Sequence, residues 1–289
     1  MSLDKLCNIT KEQQITFAEK GYLKLPQILS AELLRELRQA VDNLCQKSDT
    51  STDIAKVNGK NNQSFIIGIN NLVPKEEAIF KHLLGSPLLL SIAETLCGTD
   101  FIPIQDFVVI KNKDDQTTVN WHQDSVTKPG LKTFMIGFYL DPADDQNGAL
   151  RIIPQSHKSQ LNICELQKMD FESINMQAGD ALVHDLALAH SSGPLNTFTK
   201  RRVVYFEFME YQKFVEENIY SPLFIKNRTS LIPLAIQSFK KAYPKAQSFE
   251  WKHSANEKFA LSNDINTSIK EIYEKRLPVR AANYCFDFV

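Results

Sequence analysis

FIPIQDFVVI (101–110), TTVNWHQD (117–124), TFMIGFYL (133–140), ALRIIP (149–154), DALVHDLALAH (180–190) and RRVVYFEFME (201–210) are the segments that decide the fold. All are short and most are rich in Val, Ile, Phe or Tyr, and polar clusters such as KNKDD (111–115), KPG (128–130) and DPADDQNG (141–148) separate them. β-branched and aromatic side chains suit a pleated, half-buried surface, whereas Asp, Asn, Gly and Pro interrupt it. The stretch therefore predicts an antiparallel all-β sandwich or barrel. Asn147-Gly148, lying between two apolar runs, predicts a hairpin turn.

Outward from this region the texture becomes helical. Thr10 with Gln13 three residues later forms a capping-box pattern that starts a helix ending at Gly21. After an extended piece, Tyr22 to Leu25, Ser30 caps a second helix through Leu33, Leu34, Leu37 and Val41. Residues 46–63 are polar and turn-rich and read as a mobile loop. Helices near Glu76–Leu84 and Leu88–Leu96 follow, the second stopped by Gly98. Beyond Tyr211, one helical stripe joins Ile232, Ala235, Ile236, Phe239 and Tyr243, and another joins Ile265, Ile269, Ile272 and Tyr273.

Composition narrows the function. A formal net charge of −1 across 289 residues gives no global field to attract nucleic acid or an anionic membrane. No apolar run is long enough to span a bilayer, and MSLDKLCNITKEQQ lacks the form of a secretory signal. Five scattered cysteines (Cys7, Cys45, Cys97, Cys164, Cys285) without a CxxC read as free thiols in a reducing compartment, so a cytoplasmic protein is expected.

Trp121-His122-Gln123-Asp124 closes one expected strand. Residues i and i+2 of a strand share a face, so His122 and Asp124 can ligate one ion while Trp121 packs on the other side. A third ligand from elsewhere would complete the two-histidine, one-carboxylate set that leaves one face of a non-haem iron(II) open. His184 and His190 both qualify by parity. The context His190-Ser191-Ser192-Gly193-Pro194 and the spacing to Arg201 favour His190 and leave His184 as a core or supporting residue. Arg201 opens a strand from which its guanidinium can grip a dicarboxylate, while the next residue, Arg202, should point outward into a surface ion pair. His157 beside a turn reads as structural, and His82 and His253, in helical surroundings, as solvated.

WHQD, NGALRIIPQSH (147–157), GDALVHDLALAHSSGPLN (179–196) and an Arg eleven positions after the distal His occur in order, and together the chain resembles the phytanoyl-CoA dioxygenase family of iron(II)- and 2-oxoglutarate-dependent oxygenases. The resemblance covers about residues 100–210, and the helices over 10–46 fit the family's usual entry. It implies a double-stranded β-helix (jelly-roll, cupin-like) core with flanking α-helices, in a single domain over 1–289. Residues 1–100 would supply N-terminal helices and the loop, 101–211 the catalytic core, and 212–289 a helical extension. It also implies His122, Asp124 and His190 as iron ligands, Arg201 and Ser192 on the distal carboxylate of 2-oxoglutarate, and Gln105, Lys111 and Thr133 as further co-substrate contacts.

The implied reaction consumes dioxygen and 2-oxoglutarate, releases succinate and carbon dioxide, and oxidises a C–H bond of a small organic molecule such as a secondary metabolite. Because related halogenases replace the ligating carboxylate, Asp124 implies hydroxylation or a related C–H oxidation and not halogenation. Acyl-CoA 2-hydroxylation and a non-redox, cupin-like metal protein are the alternatives. A monomer or homodimer without nucleic-acid or membrane partners is expected. Three positions depart from the family pattern: Gln155 where Gly is frequent, Gly137 where a Trp is frequent, and the additional Leu195.

Overall fold

A computed structural model describes residues 2–47, 52–59, 62–125, 132–211, 220–253, 264–274 and 282–285. The chain opens with helix α1 (Lys11–Lys20), whose Thr10–Gln13 capping box and left-handed Gly21 terminus match the sequence pattern. Strand β1 (Tyr22–Leu25) and helix α2 (Ala31–Gln46), capped by Ser30, follow. Residues 54–58 are not loop: β2 (Ile54–Asn58) and β3 (Ser64–Asn70) pair antiparallel, which corrects part of the expected 46–63 loop. Pairing with β3, not its own hydrophobicity, makes β2 a strand, since none of its side chains is buried: Ile54 and Val57 are half-buried and the other three exposed.

Helices α3 (Ile79–Leu84) and α4 (Pro87–Cys97) lead into the strands β4 (Phe101–Asn112), β5 (Val119–Gln123), β6 (Thr133–Tyr139) and β7 (Leu150–Ile152). A short helix α5 (Ile163–Leu166) precedes β8 (Glu172–Ile174), β9 (Ala181–His184), β10 (His190–Ser192) and β11 (Lys200–Glu210). Helices α6 (Pro222–Ala242) and α7 (Ile265–Glu274) and strand β12 (Asn283–Tyr284) complete the described chain.

All strand pairs are antiparallel and form two sheets. One has seven strands in the order β1-β9-β6-β11-β4-β3-β2, the other five in the order β12-β5-β10-β7-β8. Strands thus come from the N-terminal hundred residues and from the far C-terminus as well as from 101–211.

Strand β11 shows how alternation sorts the core. Val204, Phe206 and Phe208 enter one apolar cluster together with α2, α4 and α6, while Val203, Tyr205 and Met209 enter another with Ile102, Ile104 and Met135. Arg201 has the parity of the second set and Arg202 that of the first. Arg202 does leave the interior, but it is not on the surface. It is only 8% exposed and makes two bonds to Asp141 (2.8 and 2.9 Å) and one to Asp42 (2.8 Å). Helix α2, which carries Asp42, packs over that position, a fact that strand periodicity does not contain.

Other expectations change. Asn147-Gly148 does not join hairpin strands, because β6 and β7 lie in different sheets. Instead, the Asn147 side chain accepts bonds from Thr197 and Phe198 amides, both 2.9 Å. His82 is half-buried against Tyr243, and burial pushes its imidazole down to about 4. His253 lies outside any helix, against Tyr211 and Trp251. The cysteines are not all free: Cys164 and Cys285 form a disulfide, while Cys7, Cys45 and Cys97 remain thiols. The partners are 121 residues apart, so no local spacing reveals them, and the thiol argument for a reducing compartment falls with the correction. No described helix is long and apolar enough to cross a membrane.

Candidate metal centre

His122 near the end of β5 stands directly opposite His190 at the start of β10. Side chains so paired have Cβ atoms about 5 Å apart, and the two imidazole centroids lie 4.1 Å from each other. Asp124 follows β5 immediately. Its Oδ1 is 3.4 Å from His122 Nε2 and its Oδ2 3.8 Å from His190 Nε2. Donors that each sit about 2.1 Å from one ion are roughly 3–4 Å apart, so the spacing fits a single metal.

The tautomers fit as well. His122 Nδ1 donates to the Asn120 carbonyl at 2.8 Å and His190 Nδ1 to the Leu188 carbonyl at 2.9 Å, which turns both Nε2 atoms toward Asp124. Burial and then the neighbouring His122 drive His190 down to about 3, so it stays neutral as a ligand must. Burial alone would raise Asp124, but His190, His122 and His184 hold its carboxyl well below the usual range. Tyr284 of β12 stacks on the His122 ring, 4.7 Å between centroids and 14° between planes.

His184 of the large sheet belongs to this neighbourhood without sharing the geometry of the other two. Its Nε2 donates to Asp124 Oδ2 at 3.0 Å. The nitrogen that faces the site is thus occupied by a proton, and the ring acts on the carboxylate.

A second cluster lies at one end of β11. Arg201 stands directly opposite Lys111 of β4, and both are almost fully buried, 2% and 1% exposed. Arg201 Nη1 donates to the Gly148 carbonyl, its Nε has no partner, and its guanidinium sits 5.9 Å from the Tyr139 ring centre. Lys111 Nζ donates to the carbonyls of Thr117 and Gly193, both at 2.8 Å, and reaches that of Ser192 at 3.5 Å. Lys111, although it opens the polar KNKDD cluster, is therefore turned into the protein. These two basic side chains are adjacent and buried, and neither lies within ion-pair distance of a described carboxylate.

Gln105 and Thr133 lie elsewhere. Gln105 Nε2 donates to Glu207 Oε2 at 2.8 Å, and Thr133 pairs with Met209, eight residues along β11 from Arg201. At about 3.3 Å per residue that separation is roughly 26 Å, beyond the reach of a five-carbon diacid held at Arg201. Thr133 is thereby removed from the expected co-substrate contacts. Sequence reading missed Glu207 altogether. Its one available signal was an acid amid the apolar run of β11. At Gly137, a Cβ would approach Tyr205 Cε1 to 2.5 Å, so the space that a larger residue would take is filled by Tyr205.

The sequence profile of the phytanoyl-CoA dioxygenase family matches residues 17–203. The chain belongs to that family. It is accordingly a non-haem iron, 2-oxoglutarate-dependent oxidoreductase. A probable alpha-ketoglutarate-dependent hypophosphite dioxygenase of Stutzerimonas stutzeri is 24% identical over 229 residues, covering 66% of this chain and 75% of the relative. The crystal structure of EvdMO1 is similar with a TM-score of 0.63 and 25% identity over 68% of this chain, which spans 49% of that one. EctD from S. alaskensis, in a structure with 2-oxoglutarate and 5-hydroxyectoine, shares the fold at a TM-score of 0.62 and 21% identity, covering 72% and 79% of the two chains.

Proposed function

We propose that this phytanoyl-CoA dioxygenase family member hydroxylates a C–H bond of a small organic molecule, with His122, Asp124 and His190 as the iron(II) ligands. Arg201, Lys111 and Ser192 would hold the far carboxylate of 2-oxoglutarate. The observation that carries this reading is the pair of buried, uncompensated cations on adjacent strands, a short way from three converging metal ligands. When bound, iron supplies dioxygen activation coupled to decarboxylation of the 2-oxo acid to succinate.

The chain's own residues supply orientation and a dry, charged anchor. The Arg201 fork offers two parallel N–H donors to a carboxylate, and Lys111 adds a point charge beside it. Burial strengthens both, because little water screens them. Asp124, with 22% of its side chain exposed, is the most open of the three ligands and marks the side from which small molecules reach the metal. Its carboxylate fills the position that halide would need, which supports hydroxylation.

The two facing sheets support a double-stranded β-helix core. Strands β1–β3 and β12 knit both terminal regions into those sheets, which supports one domain over 1–289. Succinate release with iron(II) and ascorbate, measured across a library of small metabolites, tests the reading. Tight zinc or nickel binding without 2-oxoglutarate turnover would overturn it.

A further inference from the structure

One polar group inside the barrel has no part in holding metal or co-substrate. Glu207 is 4% exposed, yet it lies on the inward face of β11 among Ile102, Ile104, Met135 and Met209. A carboxyl in such surroundings is costly unless something compensates it. Gln105 donates to Oε2, and Oε1 accepts no hydrogen bond from any described residue. Nor does any described cation form an ion pair with it. Arg228, whose charge reaches it, is turned toward Asp106 at 3.8 Å and lies over the Tyr273 ring at 4.5 Å.

The strand register fixes where this group stands. Glu207 pairs with Met135, which pairs with His184, so all three occupy one rung across β11, β6 and β9. His184 is the residue bonded to Asp124. Glu207 is also six residues beyond Arg201, roughly 20 Å along the strand. Glu207 and Gln105 therefore stand level with the His184–Asp124 contact, well removed along the strand from the anchoring end at Arg201 and Lys111. A second unmatched group lies on the Glu207 side: Thr133 Oγ1, in a residue only 2% exposed, has no partner and lies on the same inward face of β6. An acid acceptor and a buried hydroxyl in an otherwise apolar wall are complementary to a compact molecule with a cationic nitrogen.

We propose that Glu207, steadied by Gln105, is the specificity-determining residue of this enzyme, and that its substrate carries a protonated amine held by the free Glu207 oxygen. The inference rests on the oxygenase reading and names the substrate class for that site. In it, the amine is paired with Glu207, Thr133 Oγ1 receives a second polar group, and the apolar side chains exclude water around the carbon skeleton.

Calorimetry and thermal shift on the full chain, without turnover, test it. The probes are a panel of amino acids, cyclic amines and polyamines, each beside its N-acetylated counterpart, with 2-oxoglutarate titrated separately. Free amines of at least one class are expected to bind and their acetylated forms not to. Glu207→Gln, which keeps shape, is expected to weaken that binding about 30-fold or more, and Thr133→Val to weaken it less. Both variants should titrate with 2-oxoglutarate as the unaltered chain does. Equal binding of acetylated compounds, retained amine affinity in Glu207→Gln, or no amine binding across the panel overturns the inference. Failure of the unaltered chain to bind 2-oxoglutarate would instead count against the oxygenase reading beneath it.

Discussion

His184 Nε2 donates to Asp124 Oδ2 across 3.0 Å, so a histidine of the seven-stranded sheet steadies a carboxylate attached to the five-stranded one. This contact assigns different fates to two histidines of equal parity. His184→Ala is expected to weaken iron(II) binding about 10- to 100-fold, the usual cost of losing a residue that orients a ligand. Asp124→Ala should abolish tight binding. Metal content after equilibration with graded iron(II) separates them, and no metal at any concentration in His184→Ala would make that residue a ligand.

Arg201→Ala should raise the 2-oxoglutarate KM by about 30-fold or more, as expected for deleting one partner of a buried charged contact. Iron content should stay unchanged. Arg201→Lys should rescue poorly, because an ammonium lacks the planar fork. Succinate release against co-substrate concentration is the measurement, and an unaltered KM in Arg201→Ala would move the carboxylate anchor elsewhere.

Burial, followed by the nearby charge of Arg201, pushes Lys111 down to about 7. Its unfolded value is about 10.4, so the unfolded chain holds more protons between these limits. The group therefore destabilises the fold most below about 7, and that penalty is relieved as pH rises from there. Binding of a dianion has the opposite sign, because it requires the ammonium. Affinity for 2-oxoglutarate is expected to be highest below about 7 and to fall by up to tenfold per pH unit above it. Calorimetric titration from acid to alkaline pH tests this, and Lys111→Met should flatten the profile. A profile of unchanged slope in Lys111→Met would exclude the lysine.

The Cys164–Cys285 bond fastens α5 to the segment carrying Tyr284, whose ring lies on His122, one of the three proposed ligands. It closes a loop between residues 121 apart. Its loss is expected to cost roughly 2–4 kcal/mol, mainly by freeing the unfolded chain. Cys164→Ser and the reduced protein should therefore melt several degrees below the oxidised one. Identical melting with and without reductant would show that the bond does not form in the protein.

Gln155 holds a left-handed backbone, with φ of 65°, at a position where the family frequently has glycine. A side chain there costs about 1–2 kcal/mol, partly offset by the entropy that glycine gives the unfolded chain. Gln155→Gly should stabilise the protein by roughly 0.5–1 kcal/mol. An unchanged or lower urea midpoint would rule this out.

What the chain determined locally is clear at particular residues. Thr10, Gln13 and Gly21 set both ends of α1 through bonds within one helical turn, and alternation placed Arg201 and Arg202 on opposite faces of β11. The two-residue step from His122 to Asp124 put two proposed ligands side by side for the same reason: strand geometry has a period of two.

Contacts between residues distant in sequence were decided only by the tertiary structure. Parity could not choose between His184 and His190; sequence context favoured His190, but the physical reason, β10 pairing with β5 while β9 pairs with β6, lies in the tertiary structure. Register across three strands brought Glu207 level with His184 and carried Thr133 away from Arg201. Helix α2 buried Arg202, and a C-terminal strand brought Cys285 to Cys164. Periodicity records which way a side chain faces, but what it faces depends on chain segments tens to hundreds of residues away. Only packing fixes those.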